Sequence, residues 1–135
     1  MCFVVYLMVL LYYLLFADRG YTVGGYNTTP FAEITRYIRY RHSLGVQRVI
    51  WNLGGNILGF VPFGYLLSRI ARQFGNVFPV ILSCLLFSFF VEGIQLVAQV
   101  GCFDVDDIIL NTVGGAIGCI LRLVVDRVRR NKGDT

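Results

Sequence analysis

Long stretches of this chain carry almost no charge, and this feature constrains the fold more than any other. No charged residue occurs in 2–17 or 49–68, and Glu92 is the single charged residue in 77–100. A helix needs about 20 predominantly apolar residues to span a bilayer. Charged residues make up only 15% of the chain, whereas a soluble domain has about 25%. The pattern indicates a fold in lipid and excludes a soluble enzyme, a disordered chain and a secreted disulfide scaffold.

The apolar stretches predict an all-α membrane protein, a small bundle of four transmembrane helices in a single domain, 1–135. The predicted spans are 2–17, 49–68, 77–100 and 105–125, followed by a basic tail, 126–135. The first stretch has a competing interpretation as a signal peptide. A retained span is favoured because the stretch has no basic residues before it and no small-residue cleavage site after it.

The connection between the first two spans predicts a short helix lying in the membrane interface. Thr29 and Pro30 have the residue types of an N-cap and a first helical position. Phe31, Ile34 and Ile38 follow at helical spacing, which is typical of an amphipathic helix. A solvated loop helix is the alternative.

Basic residues give the orientation. Eleven of the twelve are Arg, and they fall between or after the spans rather than in a nucleic-acid-binding patch. With the N-terminus inside, seven lie on the inner side and five on the outer side, and the densest cluster is the tail. The positive-inside rule therefore predicts that both termini are cytoplasmic.

Polar residues inside the third predicted span are the first functional signal. Ser88, Glu92, Gln95 and Gln99 follow a helical spacing that places them on one face. An acidic residue at the centre of a transmembrane helix costs about 2.5 to 3.5 kcal/mol on insertion scales, unless it is protonated, paired or hydrated. The spacing therefore predicts polar partners on the neighbouring spans.

Both neighbouring spans carry such partners beside small residues. The second has Asn52 and Asn56, followed by Pro62, which is expected to kink the helix. The candidate structural glycines have the small-xxx-small spacing that lets helices approach closely; they are Gly55 and Gly59 on the second span and Gly114 and Gly118 on the fourth.

In the predicted topology the polar ends of three spans face the same side, which predicts a cleft opening to the outer leaflet. The predicted binding residues are Asn52, Asn56, Glu92, Gln95, Asp104, Asp106, Asp107 and Asn111. A structural alternative makes Asp104 the N-cap of the fourth span and Asp107 its third helical residue. Asn56, Glu92, Gln95 and Asn111 would then be hydrogen-bonding contacts between helices, each worth about 0.6 kcal/mol.

Three motifs, in order and spacing, resemble the VanZ-like family of small bacterial membrane proteins. They are NLGGNILGFVPFGYLL (52–67), VEGIQ (91–95) and FDVDDIILNTVGGAIG (103–118), with TTPF (28–31) as a shorter match in a resemblance covering roughly 27–125. The resemblance implies an all-helical protein of the bacterial cytoplasmic membrane, associated with low-level resistance to teicoplanin. The family residues that it implies here are Asn56, Pro62, Glu92, Gln95, Asp104, Asp107 and Asn111. Many family members have an Arg before the aspartates, where this chain has Gly101 and Cys102.

Two functions of different classes fit these residues. A third alternative is a structural role beside another membrane protein. The first is binding of a lipid-linked envelope intermediate or a glycopeptide in the polar cleft, with a role in teicoplanin resistance or envelope homeostasis. The second is a membrane-embedded enzyme acting on a lipid-linked substrate, with Glu92 and Asp107 as candidate catalytic residues. In the enzyme, Asp104, Asp106 and Asp107 are candidate ligands of a divalent cation, since oxygen donors suit magnesium or calcium.

Overall fold

A computed structural model describes residues 2–16, 25–70 and 76–133. The helices are α1 (Cys2–Phe16), α2 (Ala32–Arg39), α3 (Arg41–Leu44), α4 (Val46–Ile70), α5 (Val77–Val97) and α6 (Val105–Gly133). Two short strands, β1 (Tyr26–Asn27) and β2 (Phe103–Asp104), pair in parallel. The end of the first predicted span at Ala17, the loop cations Arg19 and Arg72, and the last two residues of the tail lie outside the described residues.

Within the described residues, three helices are long and apolar enough to cross a membrane: Val46–Ile70, Val77–Val97 and Val105–Lys132. A shorter apolar helix occupies Phe3–Leu15. The prediction of an all-α membrane protein is confirmed. The number of four spans stays a prediction, because the described part of α1 has 15 residues and a perpendicular span needs about 20.

The surface and the interior have the polarity expected of a protein in lipid. Large apolar side chains are exposed along the long helices, among them Leu58, Phe78 and Val97. Asn56 and Glu92 are buried, at 2% and 1% exposure. Exposing these apolar side chains to water would cost free energy, whereas contact with lipid does not. Because lipid offers no hydrogen bonds, the buried polar groups have to pair with one another inside the protein.

Glycines bring the backbones of α4 and α6 into direct contact. A Cβ at Gly114 would lie 2.2 Å from the Ile57 carbonyl oxygen, and one at Gly118 would lie 2.0 Å from that of Val61. Gly55 and Gly59 face α1 instead, where a Cβ would meet the Tyr13 hydroxyl and the Leu10 side chain. Close backbone approach of two helices therefore occurs at Gly114 and Gly118, whereas Gly55 and Gly59 contact side chains of α1.

The predicted N-cap at Thr29 is wrong. Helix α2 begins at Ala32, and the residue before it, Phe31, has a left-handed φ of 64° and no side-chain capping bond of its own. Thr29 is held in a turn instead, its amide donating to the Asn27 side chain at 3.1 Å. The amides at the start of α2 donate to an acceptor from a distant part of the chain, described below. The residue types near Thr29 therefore do not determine where the helix begins.

The long helices differ from the predicted spans mainly at their ends. Helix α4 begins at Val46, directly after Gly45, whose φ of 87° favours glycine and separates α4 from α3. It runs through Pro62, which lies exposed on its surface. Helix α5 ends at Val97, and α6 continues to Gly133 through the predicted basic tail. Arg is a good helix former, so the helix has no local reason to stop where the apolar residues end.

Candidate functional site

Buried polar residues of α4, α5, β2 and α6 form the candidate site, here called the polar cluster. Its members are Asn56, Ser88, Glu92, Gln95, Asp104, Asp106, Asp107 and Asn111, all of them buried. Side chains that face lipid are apolar on the same helices, so each helix presents its polar residues inward. An unpaired polar group here would be costly, and its contacts therefore decide what the cluster can do.

Two amides join α6 to the helices beside it. Asn56 of α4 donates its Nδ2 hydrogen to Asp107 Oδ1. Asn111 of α6 donates from Nδ2 to the Ser88 hydroxyl of α5 at 2.8 Å. The Asn111 Oδ1 atom is buried and accepts no hydrogen bond from the described residues. It is therefore an acceptor that a donor entering the cluster could use.

Asp104 connects the start of α6 with α5 and with the first loop. The Asp104 amide donates to Glu92 Oε2 at 3.0 Å, and Asp104 Oδ1 accepts from Asn27 Nδ2 at 3.0 Å. The same oxygen accepts from the Asp106 amide at 2.9 Å, which makes Asp104 the N-cap of α6. Burial raises the pKa of Asp104 to about 6, and the charges of Asp107 and Asp106 add to this rise.

Asp106 caps α2 across a long stretch of sequence. Its Oδ1 atom accepts from the Phe31 amide, and its Oδ2 atom accepts from the amides of Glu33 at 2.8 Å and Ile34 at 3.0 Å. These amides belong to the first turn of α2, where the backbone donors have no partner within the helix. A single carboxylate therefore fixes the loop helix against the start of α6.

The two remaining predicted residues differ in their surroundings. Gln95 is buried and donates from Nε2 to the Leu14 carbonyl at 2.6 Å, which joins the cluster to α1. Asn52 donates to the Arg48 carbonyl of its own helix at 2.9 Å and is only partly buried. The structure does not bring Asn52 into the cluster.

A π-helical turn in α4 precedes the cluster. Ile50–Gly54 is π-helical, and the α-helix resumes at Gly55, one residue before Asn56. A π-turn inserts one extra residue and rotates the face of the helix that follows, and such turns are frequent at functional sites. The turn therefore sets which face of α4 carries Asn56, and it explains why one uninterrupted helical stripe through Asn52 and Asn56 was misleading.

The aspartates of the cluster accept hydrogen bonds from backbone amides and from the side chains of Asn27 and Asn56. In the described parts of the chain, no group of three or more His, Cys, Asp and Glu residues is arranged to hold a metal ion. Both oxygens of Asp106 accept from amides of the first loop, and Oδ1 of Asp104 accepts from two donors. The geometry fits recognition by hydrogen bonds and charge.

Sequence reasoning missed two partners of the cluster. Asn27 pairs with Asp104 across the β1–β2 ladder, and Ser88 accepts from Asn111. Ser88 lies on the polar stripe of the third span but is not among the predicted binding residues. Asn27 had a weaker local signal, since it lies two residues before Thr29, where an Asn side chain commonly forms a turn.

A model of the VanZ/LLP1 family matches residues 3–126. The chain belongs to the VanZ/LLP1 family. It is also 38% identical over 63 residues to Protein VanZ of Enterococcus faecium, a match that covers 47% of this chain and 38% of that protein. The family match includes every member of the polar cluster. No solved structure matches the chain significantly.

Proposed function

We propose that this chain is a plasma-membrane protein of bacteria that binds an envelope component or a glycopeptide at the outer leaflet and contributes to teicoplanin resistance. The proposal rests on membership of the VanZ/LLP1 family and on the likeness to Protein VanZ. Because the chain matches only 38% of that relative, the role in resistance belongs to this proposal. Four spans with both termini in the cytoplasm are part of it.

The observation that carries the proposal is the unsatisfied acceptor of Asn111. Its side chain is 1% exposed, and its Oδ1 atom has no donor among the described residues. Leaving a buried acceptor without a hydrogen bond costs about 1 to 3 kcal/mol. A ligand that supplies an N–H or O–H to this atom recovers that free energy. Peptide amides and sugar hydroxyls, which glycopeptides and lipid-linked wall intermediates both carry, have this chemistry.

We favour binding over catalysis because the carboxylates are already used as acceptors. Of the candidate catalytic residues, Glu92 accepts from the Asp104 amide and Asp107 accepts from Asn56 Nδ2. Asp106, a candidate cation ligand, holds the first turn of α2 with both oxygens. A general base in these positions would have to exchange a structural bond for a bond to substrate. Ligand binding places no such demand on Asp106.

The test compares substitutions in the cluster with a matched substitution outside it. Asp107→Ala, Asn111→Ala and Glu92→Gln should each lower teicoplanin resistance of a sensitive Gram-positive host at equal protein level. Thr112→Val is the control, because Thr112 is the neighbour of Asn111 and its hydroxyl donates to the Ile108 carbonyl of its own helix. If all three variants accumulate normally and resistance is unchanged, the proposed function is wrong. A loss of protein that accounts for the loss of resistance assigns the cluster a structural role only.

A further inference from the structure

A groove with a volume of about 510 Å³ lies between α1 and α4, outside the polar cluster. Its floor is formed by glycines, Gly54, Gly55 and Gly59, and its walls include Tyr6 and Tyr13. The Tyr6 hydroxyl donates to the Gly59 carbonyl, which fixes one wall against the floor. The space over Gly54 is open, because a Cβ there would meet only the Ile50 side chain at 3.9 Å, whereas Tyr13 and Leu10 lie against Gly55 and Gly59. A groove of this volume has room for a narrow apolar chain beside Gly54.

One end of this groove meets a polar pocket of about 490 Å³ at the start of α4. Trp51 lines both, and the polar pocket adds Gln47, Arg48 and Asn52. Arg48 is exposed, and no ion pair found among the described residues involves it. The groove therefore has a cation and amide groups at one end and apolar walls along its length.

The groove and the polar pocket together match one leaflet of a bilayer in length. Arg48 and Gly59 are eleven positions apart, which is about 16 Å along a helix. The hydrocarbon core of a bilayer is about 30 Å thick, so one leaflet contributes about 15 Å. With Arg48 and Trp51 at the interface, where Arg and Trp are favoured, the groove reaches close to the bilayer midplane.

We propose that this groove binds one acyl chain of an anionic phospholipid, with the lipid phosphate held by Arg48. Guanidinium groups bind phosphate by paired charge-assisted hydrogen bonds. Gln47 and Asn52 lie where they can donate to the headgroup. The proposal goes beyond the proposed function and does not depend on it, because the groove shares no residue with the polar cluster.

The experiment uses the fluorescence of Trp51, the only tryptophan of the chain. The protein is reconstituted in nanodiscs of phosphatidylcholine, and a phospholipid brominated near the headgroup end of one acyl chain is titrated in. Bromine quenches tryptophan at contact distance. Brominated phosphatidylglycerol should quench Trp51 saturably at a lower lipid fraction than brominated phosphatidylcholine does. Equal, linear quenching by both lipids would overturn the proposal.

Two pairs of variants separate the headgroup contact from the acyl-chain contact. Arg48→Gln should reduce the preference for phosphatidylglycerol by about tenfold, the effect of one lost charge-assisted contact, whereas the exposed Arg129→Gln should not. Gly54→Leu should remove saturable quenching by both lipids, since Gly54 lines the groove. Gly93→Leu is its control, because a Cβ there meets open space on α5.

A second copy of the chain is the competing occupant. In that case crosslinking across the groove and weaker quenching would both follow a rise in the protein-to-lipid ratio. This result would overturn the lipid proposal. The proposed function would be unaffected, since its readout is resistance and its variants lie in the polar cluster.

Discussion

Asp106 holds the first turn of a helix that lies far away in the sequence, since Asp106 and Phe31 are 75 positions apart. A carboxylate at a helix N-terminus satisfies backbone donors and favours the positive end of the helix dipole. Here that carboxylate is itself in the first turn of α6. One side chain therefore stabilises two helix starts at once.

Asp106→Ala should release α2 from α6. Loss of an N-cap acceptor costs about 0.5 to 2 kcal/mol, so the variant should unfold at a lower temperature in detergent. Hydrogen exchange should speed up at the amides of Glu33 and Ile34. The control is Asp126→Ala, whose carboxylate pairs with Arg122 near the other end of α6. Unchanged exchange in α2 would contradict the role of Asp106.

Asp104 should make stability depend on pH. Burial raises its pKa from 3.8 to about 6, so the folded protein holds this proton more tightly than the unfolded chain does. The stabilisation is complete below pH 3.8 and is lost as the pH rises through about 6. Asp104→Asn removes the titration. The Tm of the wild type relative to this variant should therefore fall as the pH rises through that window, and a constant difference would contradict the raised pKa.

The residues of the site could be predicted from sequence better than their partners could. Glu92, Gln95 and Asn111 stand out because polar side chains are rare in apolar spans. The partner of Asp106 could not be found in the same way, because backbone amides of a loop leave no mark on residue type. The prediction that Asn52 belongs to the site depends on an α-helical spacing, which the π-turn at Ile50–Gly54 interrupts.

At the scale of helices, the contact between α4 and α6 depends on the absence of side chains. A Cβ at Gly64 would lie 1.9 Å from the Gly115 carbonyl oxygen, too close for any rotamer to relieve. Backbone contact of this kind supplies van der Waals packing, the main attraction between helices in lipid. The helices could be predicted from the apolar stretches, but Gly64 is not among the candidate structural glycines of the sequence analysis.

Gly118→Ala should push α4 and α6 apart, because its Cβ would lie 2.0 Å from the Val61 carbonyl oxygen. Overpacking typically costs about 1 to 3 kcal/mol, and here backbone rather than a side chain has to move. Gly93→Ala is the matched control, with nothing within 4 Å of the new Cβ. Thermal unfolding in detergent should show a lower Tm for Gly118→Ala alone. Equal Tm values for both variants would contradict the close backbone contact between α4 and α6.

At the scale of the whole molecule, the proposed topology places the turn before β2 outside the cell. Cys102 lies in this turn and is partly exposed, whereas Cys84 and Cys119 are buried. Burial and nearby carboxylates raise the pKa of the Cys102 thiol, so labelling is best done at alkaline pH.

In a variant that keeps Cys102 alone, a membrane-impermeant maleimide should label intact cells. A cysteine at Arg129 in an otherwise cysteine-free chain should react only after lysis. The opposite labelling pattern would show that the topology is inverted and that the polar cluster lies toward the cytoplasmic side. Apolar stretches predict the helices, but the predicted orientation of these helices across the membrane depends on a small excess of basic residues. The labelling experiment tests this orientation directly.

The pairing of β1 with β2 also has a consequence for biogenesis. Asn27 and Asp104 are 77 positions apart, and α4 and α5 lie between them in the chain. When the first loop emerges from the ribosome, its strand partner and the carboxylate that caps α2 have not yet been synthesised. The contacts of this loop therefore cannot form until β2 and the first turn of α6 have been synthesised. Folding of the loop is thus a late step in the assembly of the chain.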